Sequence, residues 1–283
     1  MKRRDFLAGS LATVVSLPFY VRSEKWVAEA DLVSTAVTPS LNSQHGIEPT
    51  VLLADSTITQ QATTLSINLV AGTLVNFSYH TLTGNQPAHY QNQVFLWPVS
   101  DNEIPWSSPA IAQGAILLNQ PDGDQNLDNI AISSGAYILG YAVGPEYAQD
   151  AWSRYLNVVA SAYIPALLNG GYRDDTELNR CSITPAFVGV SSIACNFSFL
   201  PGFNAKASAS WIGVWEGETV SWTTPPKWFS AITVDSNTGT VGINEISIVS
   251  GQKYTLALYT SGYDIQAQRL DLQRLACTAT FLN

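Results

Sequence analysis

From residue 64 onward the chain alternates between short apolar runs and clusters of turn-forming residues. The runs TLSINLVAG (64–72), TLVNFSYHT (73–81), NQVFLWPV (92–99), GAILLN (114–119), IAISSG (130–135) and AYILGYAVG (136–144) are rich in β-branched and aromatic side chains, with Gly, Pro, Asn and Asp between them. In INEISIVSG (243–251), Ile243, Ile246 and Ile248 keep close to the two-residue period of a strand with one buried face. Strands at intervals of about ten residues predict an antiparallel β-sandwich. No amphipathic helical pattern of useful length is present, apart from a possible turn around 145–154. The connections are too short for a parallel βαβ crossover.

The pattern occurs twice. VNFSYH (75–80) returns as CNFSFL (195–200), QVFLW (93–97) as WIGVW (211–215), and IPWSSP (104–109) as VSWTTP (220–225). AILLNQPDGDQNLDNIAISSG (115–135) lies without gaps on AITVDSNTGTVGINEISIVSG (231–251), and YILGYAVG (137–144) on YTLALYTS (254–261). The period is about 117 residues, an ordinary length for one hydrophobic core. Each unit resembles the immunoglobulin and fibronectin type III class of sandwiches. The expected fold is all-β, with two tandem antiparallel sandwiches at 49–165 and 179–283, a linker at 166–178 and an N-terminal tail at 31–48. Phe77 and Phe197, inside the shared Asn-Phe-Ser, are expected in the two cores.

The first thirty residues read as an export signal. Lys2, Arg3 and Arg4 precede an uncharged apolar run from Phe6 to Val21, and Ala28-Glu29-Ala30 offers small residues for cleavage. Arg3, Arg4, Phe6 and Leu7 resemble the twin-arginine motif, although Lys2 stands where Ser or Thr is usual and Ala8 where Lys is favoured. An ordinary secretory signal is the alternative. The resemblance implies transport in the folded state and a periplasmic, cell-surface or extracellular destination. Asn76 and Asn196 fit the N-glycosylation pattern, but a mid-strand position and a prokaryotic-type exporter argue against its use.

Charge narrows the partners. The chain carries 13 Lys/Arg against 22 Asp/Glu, a net charge of −9, and removal of residues 1–30 takes it to about −11. That surface repels phosphate backbones and anionic lipid, so nucleic acid is excluded as a partner. No second apolar run is long enough to span a bilayer as a helix.

Of the three cysteines, Cys195 aligns with Val75 and Cys277 with Ala160. First and last strands lie side by side in an immunoglobulin-like sandwich, so a Cys195–Cys277 disulfide is expected. Cys181 is then a free thiol or an intermolecular link, and its pairing with either of the others stays open; the alternative is free, buried thiols.

No nucleophile, zinc-protease or phosphate-loop motif is present. His80 and His89 flank the turn TLTGNQPA, as two sides of a metal or acid/base site or as ordinary loop histidines. Asp122, Asp124, Asn126 and Asp128 alternate as calcium ligands do, in what reads as an acidic turn. Leu127 and Ser133 occupy the positions where an EF-hand needs Gly and Glu, and no other cofactor is expected. Ile212 and Val214 share one strand face and Trp211 and Trp215 the other, so the two tryptophans form an outward aromatic strip if the aliphatic face is the core. Trp228, Trp152 and Tyr155 have no counterpart in the other unit. These five are the candidate ligand-contact residues, for a sugar ring or a protein surface; the recurrence of Trp97 as Trp215 and of Trp106 as Trp222 offers core or inter-sheet packing as the alternative.

The function expected is binding: an exported, non-catalytic adhesion or envelope-associated protein recognising a glycan or protein. A first alternative is a self-assembling subunit, in which the β-prone run TVLLADSTITQQ (50–61) completes a neighbour's sheet and forms homo-oligomers. A second is a secreted hydrolase or toxin-like effector using Glu216 and Glu218, which replace Pro98 and Ser100 of the first unit.

Overall fold

The computed structural model describes residues 58–145, 153–171, 173–264, 266 and 269–283. Arg3, Arg4, Phe6 and Leu7, expected to form an export signal, the expected N-terminal tail, most of the run 50–61 and Trp152 lie outside the described residues. Every described element longer than one turn is a strand. In chain order these are β1 (Thr59–Ala62), β2 (Thr64–Ala71), β3 (Leu74–His80), β4 (Gln93–Val99), β5 (Ala112–Ala115), β6 (Asp122–Asp128), β7 (Ala136–Ala142), β8 (Val158–Ile164) and β9 (Glu177–Arg180). The chain continues through β10 (Ser182–Val188), β11 (Ser192–Ser198), β12 (Trp211–Glu216), β13 (Trp228–Ala231), β14 (Thr238–Asn244), β15 (Lys253–Tyr259), the short pair β16 (Tyr263–Asp264) and β17 (Arg269–Leu270), and β18 (Leu275–Leu282). Two single 3-10 turns complete it, at Ser153–Tyr155 and Leu272–Arg274. No described helix is long and apolar enough to cross a membrane.

The fold is all-β, built from antiparallel sheets arranged as sandwiches. In the first half a three-stranded sheet, β2-β3-β6, accompanies a five-stranded one, β5-β4-β7-β8-β9. In the second half β10-β11-β14 accompanies β13-β12-β15-β18-β1. Strand alternation decides what each sheet buries. Val75, Phe77 and Tyr79 of β3 point inward, while Asn76 and Ser78 between them are half-exposed. Ile193, Cys195 and Phe197 do the same on β11. Phe77 and Phe197 are core residues as expected, and a side chain of this size contributes about 1.5–3 kcal/mol when taken out of water.

The registers equate the halves strand by strand, with one correction to the alignment. Phe77 pairs with Ile67 and Gln125, and Cys195 with Pro185 and Val241. A bulge follows at the same place in each half, between Ile67 and Leu69 and between Pro185 and Phe187. Cys195 therefore occupies the position of Phe77, not of Val75, and Asn196 that of Ser78. The Asn-Phe-Ser match is shifted by two residues. An even shift preserves which side chains face the core, so both phenylalanines are buried although they do not correspond.

The expected disulfide is absent. All three cysteines are free and buried, and no pair lies at disulfide distance. Beside Cys277 in its sheet stand Ala62 on β1 and Leu258 on β15, while Cys195 belongs to the other sheet of the sandwich. The first and last strands of the second half lie in different sheets, and β1, from the start of the described chain, pairs with β18 instead.

This exchange ties the halves together. β9 lies on the edge of the first half's sheet, with Arg180 opposite Ala160. β1 lies on the edge of the second half's sheet in the equivalent register, with Ala62 opposite Cys277. One residue, Thr63 or Cys181, then carries the chain from each edge strand into the other half. Glu177 and Leu178, expected as the end of the linker, open β9.

Candidate recognition face

The acidic alternation at 122–128 is not a turn. It is strand β6, with Asp122, Asp124, Asn126 and Asp128 on one exposed face. Extended backbone sets alternate residues about 6.6–6.8 Å apart in a row, where a calcium loop would wind them around one centre. Asp122 faces His80, Asp124 faces Ser78 and Asn126 faces Asn76. Asp122 pairs with the His80 imidazole through Nδ1, and Ser78 Oγ donates to Asp124. The bulge on β2 projects Asn68 onto the same face, where its amide donates to Ser78 Oγ at 2.7 Å and Asn76 Oδ1 at 3.0 Å. Asn76 Nδ2 donates to Asn126 Oδ1 at 2.6 Å. No group of three or more His, Cys, Asp or Glu among the described residues is placed to hold a metal ion.

The outer face of β2-β3-β6 is thus a flat, hydrogen-bonded ladder of amides, hydroxyls, carboxylates and one imidazole. It is not arranged for nucleophilic attack. Ser78 and His80 stand on the same strand two residues apart, and the hydroxyl is bonded to Asp124 rather than to the imidazole. His89 sits apart, its amide N–H bonded to Asn119 Oδ1 at 2.7 Å and its ring beside Tyr90. Beneath the ladder, Tyr79 packs against Gly123, where a Cβ would meet the phenolic oxygen at 2.6 Å. Burial, with the nearby charges of Asp122 and Asp124, raises the Tyr79 pKa.

The aromatic candidates are placed differently from expectation. Trp211 and Trp215 do lie on the face of β12 opposite Ile212 and Val214, but that face is covered. Trp211 is fully buried, stacked on Tyr259 with ring centres 3.7 Å apart, and its indole N–H donates to Ser261 O. Leu82 of the first half, Leu272 and Leu275 pack with it. Tyr155 is also buried, wedged edge-on against Phe95 and Trp97, with its hydroxyl bonded to the amide of Ala110. Alternation locates the outer face, but it cannot foresee that loops and the other half close over it. Trp215 and Trp228 remain half-exposed, and Lys227 Nζ sits 4.3 Å from the centre of the Trp228 ring.

Glu216 and Glu218 do not converge on a common centre. Glu216 pairs with Lys227 at 3.2 Å and Glu218 with Lys253, all four side chains exposed. At the seam an open depression is lined by Asp101, Asn102, Glu103, Asn179 and Pro201. Within it Asn102 bridges two residues of β9, donating to Glu177 at 2.9 Å and accepting from Asn179 at 2.9 Å.

The ladder is the feature that sequence reasoning missed. Its signal was the alternation of 122–128 itself, read as a turn because Gly, Asp and Asn are poor strand formers.

No protein-family model and no curated protein matches the chain. Among solved structures, a DUF3823 family protein from Bacteroides uniformis is similar at 13% identity and a TM-score of 0.25, over 71% of this chain and 94% of that one. The Salmonella alpha-2-macroglobulin reacted with methylamine is similar at 12% identity and a TM-score of 0.25, over 81% of this chain; the match spans 16% of that protein.

Proposed function

We propose that the protein works by binding: an exported, non-catalytic adhesion or envelope-associated protein that recognises a glycan through the polar ladder of its first half. The observation that carries this reading is the inequality of two otherwise equivalent faces. Where the first half has Asn68, Asn76, Ser78, His80, Asp122, Asp124 and Asn126, the register sets Ala186, Ala194, Asn196, Ser198, Thr238, Thr240 and Gly242 in the second. Uncharged and mostly small side chains, with one amide that accepts from Thr240, satisfy the fold at those positions. The amides, carboxylates and imidazole therefore answer to something other than folding. Held in a row by their own hydrogen bonds, they offer paired donors and acceptors to the neighbouring hydroxyls of a sugar. Each such bond contributes about 0.5–1.5 kcal/mol, and about 1.5–3 kcal/mol to a charged group, so several are needed for useful affinity. The twin-arginine-like start and the immunoglobulin-like pattern of the two units support an exported binding protein.

A glycan-binding screen tests this, with Asn76→Ala, Asp124→Ala and Trp228→Ala variants alongside the unaltered chain. Loss of roughly tenfold or more in the two ladder variants, with Trp228→Ala unchanged, is the expected result, equivalent to about 1.4 kcal/mol. Loss only in Trp228→Ala or Trp215→Ala moves the site to the half-exposed tryptophans. Absence of glycan binding with capture of a protein ligand, still lost in Asp124→Ala, keeps the face and changes its partner. Absence of any ligand overturns the reading.

A further inference from the structure

We infer that β1 is an exchangeable strand: it leaves the edge of its own second half, and the vacated edge of β18 accepts β1 from a second copy of this chain. The argument rests on comparing β1 with β9, which occupy equivalent registers with unequal support. β9 forms a hairpin with the strand before it, β8, and Asn102 clamps it through Glu177 and Asn179. β1 pairs with β18, more than 200 residues away in the chain. Its one side-chain hydrogen bond from outside the strand among the described residues is Thr83 Oγ1 to Gln61 Oε1, at 3.4 Å. Three of its four residues are exposed.

The hinges differ in the same sense. At Cys181 the crossover amide donates to Val159 O at 3.2 Å; at Thr63 the equivalent bond to Ala276 O is 3.5 Å. Thr63 is buried, and its hydroxyl has no partner among the described residues, a cost that opening relieves. A segment with little buried surface and few bonds opens first. Once β1 leaves, the N–H and C=O groups of Cys277–Thr280 form an unpaired edge over a buried strand, the template that strand addition fills. The sequence that fits that edge is the one just released, and any second copy carries it. The contact is heterologous, running from β1 of one copy to β18 of the next.

The register supplies the test, because Ala62 stands directly opposite the native Cys277. An Ala62→Cys chain, oxidised with oxidised glutathione, forms a disulfide that records which copy β1 was seated on. Non-reducing electrophoresis across a roughly hundredfold range of protein concentration is expected to show linked dimers and longer species rising with concentration, as mass action requires. They should be absent in Ala62→Cys/Cys277→Ala. Intramolecular bonds alone, at every concentration, overturn the proposal. A second measurement covers failure of the variant to fold or oxidise. A labelled peptide of residues 58–63 is incubated with the unaltered chain; uptake is expected, and no uptake overturns the exchange.

Discussion

Trp106 and Trp222 each send an indole N–H across the seam to a backbone carbonyl of the other half: Trp106 to Pro201 at 2.9 Å and Trp222 to Thr83 at 3.1 Å. The residue after each carbonyl is a glycine with positive φ, Gly202 at +74° and Gly84 at +81°. A Cβ on either glycine would stand 3.0 Å from the indole nitrogen. The two contacts are equivalent, so the seam has a local two-fold character.

They differ in how far they can give. Trp106 is buried edge-on against Phe203, whereas Trp222 is half-exposed and stacked on Tyr90. Gly202→Ala is expected to destabilise by about 1–3 kcal/mol, from left-handed backbone plus crowding of a fixed ring. Gly84→Ala is expected to cost less, because the Trp222 ring can move outward. Urea midpoints of the two variants decide the order, and equal midpoints would mean that the ring does not set the cost.

Much of the architecture was legible in the sequence, and the failures have specific causes. Alternation at Val75, Phe77 and Tyr79 is enough to assign the inward face of a strand, and it tolerates a misalignment by two. The core positions are therefore legible even though the Asn-Phe-Ser match sets Cys195 on Val75 and the register sets it on Phe77. The seam was not legible. Alternation puts Trp211 on the correct face of its strand, but the residue that covers it, Leu82, lies more than 120 positions earlier. The Cys195–Cys277 bridge failed for the same reason: the neighbour of β18 comes from the other end of the described chain. Local pattern carries strand identity, and long-range partners carry exposure.

The cysteines give a pH prediction with a definite sign. Burial pushes the Cys181 thiol up to about 12, and Cys195 and Cys277 upward as well. In the unfolded chain these thiols ionise at ordinary values, so above about pH 9 the unfolded state releases protons that the folded state retains. Stability is then full below the ordinary thiol range and falls as pH rises toward the folded values, by at most about 1.4 kcal/mol per pH unit for each thiol. The buried hydroxyls of Tyr141 and Tyr259 are also raised and add to the fall at higher pH. Urea midpoints measured from pH 7 to 10.5 should decline, and more shallowly when all three cysteines are replaced by Ala. A thiol reagent should find none of the three in the native protein and all of them after unfolding.

Arg274 is a strut between the halves. Only 3% of its side chain is exposed; Nε donates to Asp271 at 3.1 Å and Nη1 to Val143 O, in the first half, at 3.0 Å. Asp271 also caps the 3-10 turn that carries Arg274, accepting from the amide of Gln273. Arg274→Ala leaves a half-buried carboxylate and a buried carbonyl without their partner. A loss of roughly 2–4 kcal/mol is expected, below the range for a fully buried pair because Asp271 keeps solvent access. Arg274→Met retains the packing of the stem and should lose less. Thermal denaturation of both variants checks the ranking.

The exchange of edge strands predicts that the halves are unequal when separated. A fragment of residues 64–180 keeps β2 to β9, including the edge strand β9 beside β8. A fragment of residues 181–283 keeps β10 to β18 but lacks β1, so β18 becomes an open edge. That fragment also uncovers Trp211 and Tyr259 where Leu82 had packed, and removes the carbonyl of Val143 from Arg274. The first fragment likewise uncovers Leu82 and Trp106, but its edge strand β9 stays paired with β8. It should show a cooperative, reversible unfolding transition at lower stability than the whole chain, while the second should aggregate or associate as its concentration rises. Adding residues 58–63 to the second fragment through a flexible linker beyond Asn283 should restore a monomer. Light scattering on the three proteins decides it: a monomeric, cooperatively folding 181–283 fragment would show that β1 contributes nothing the second half requires.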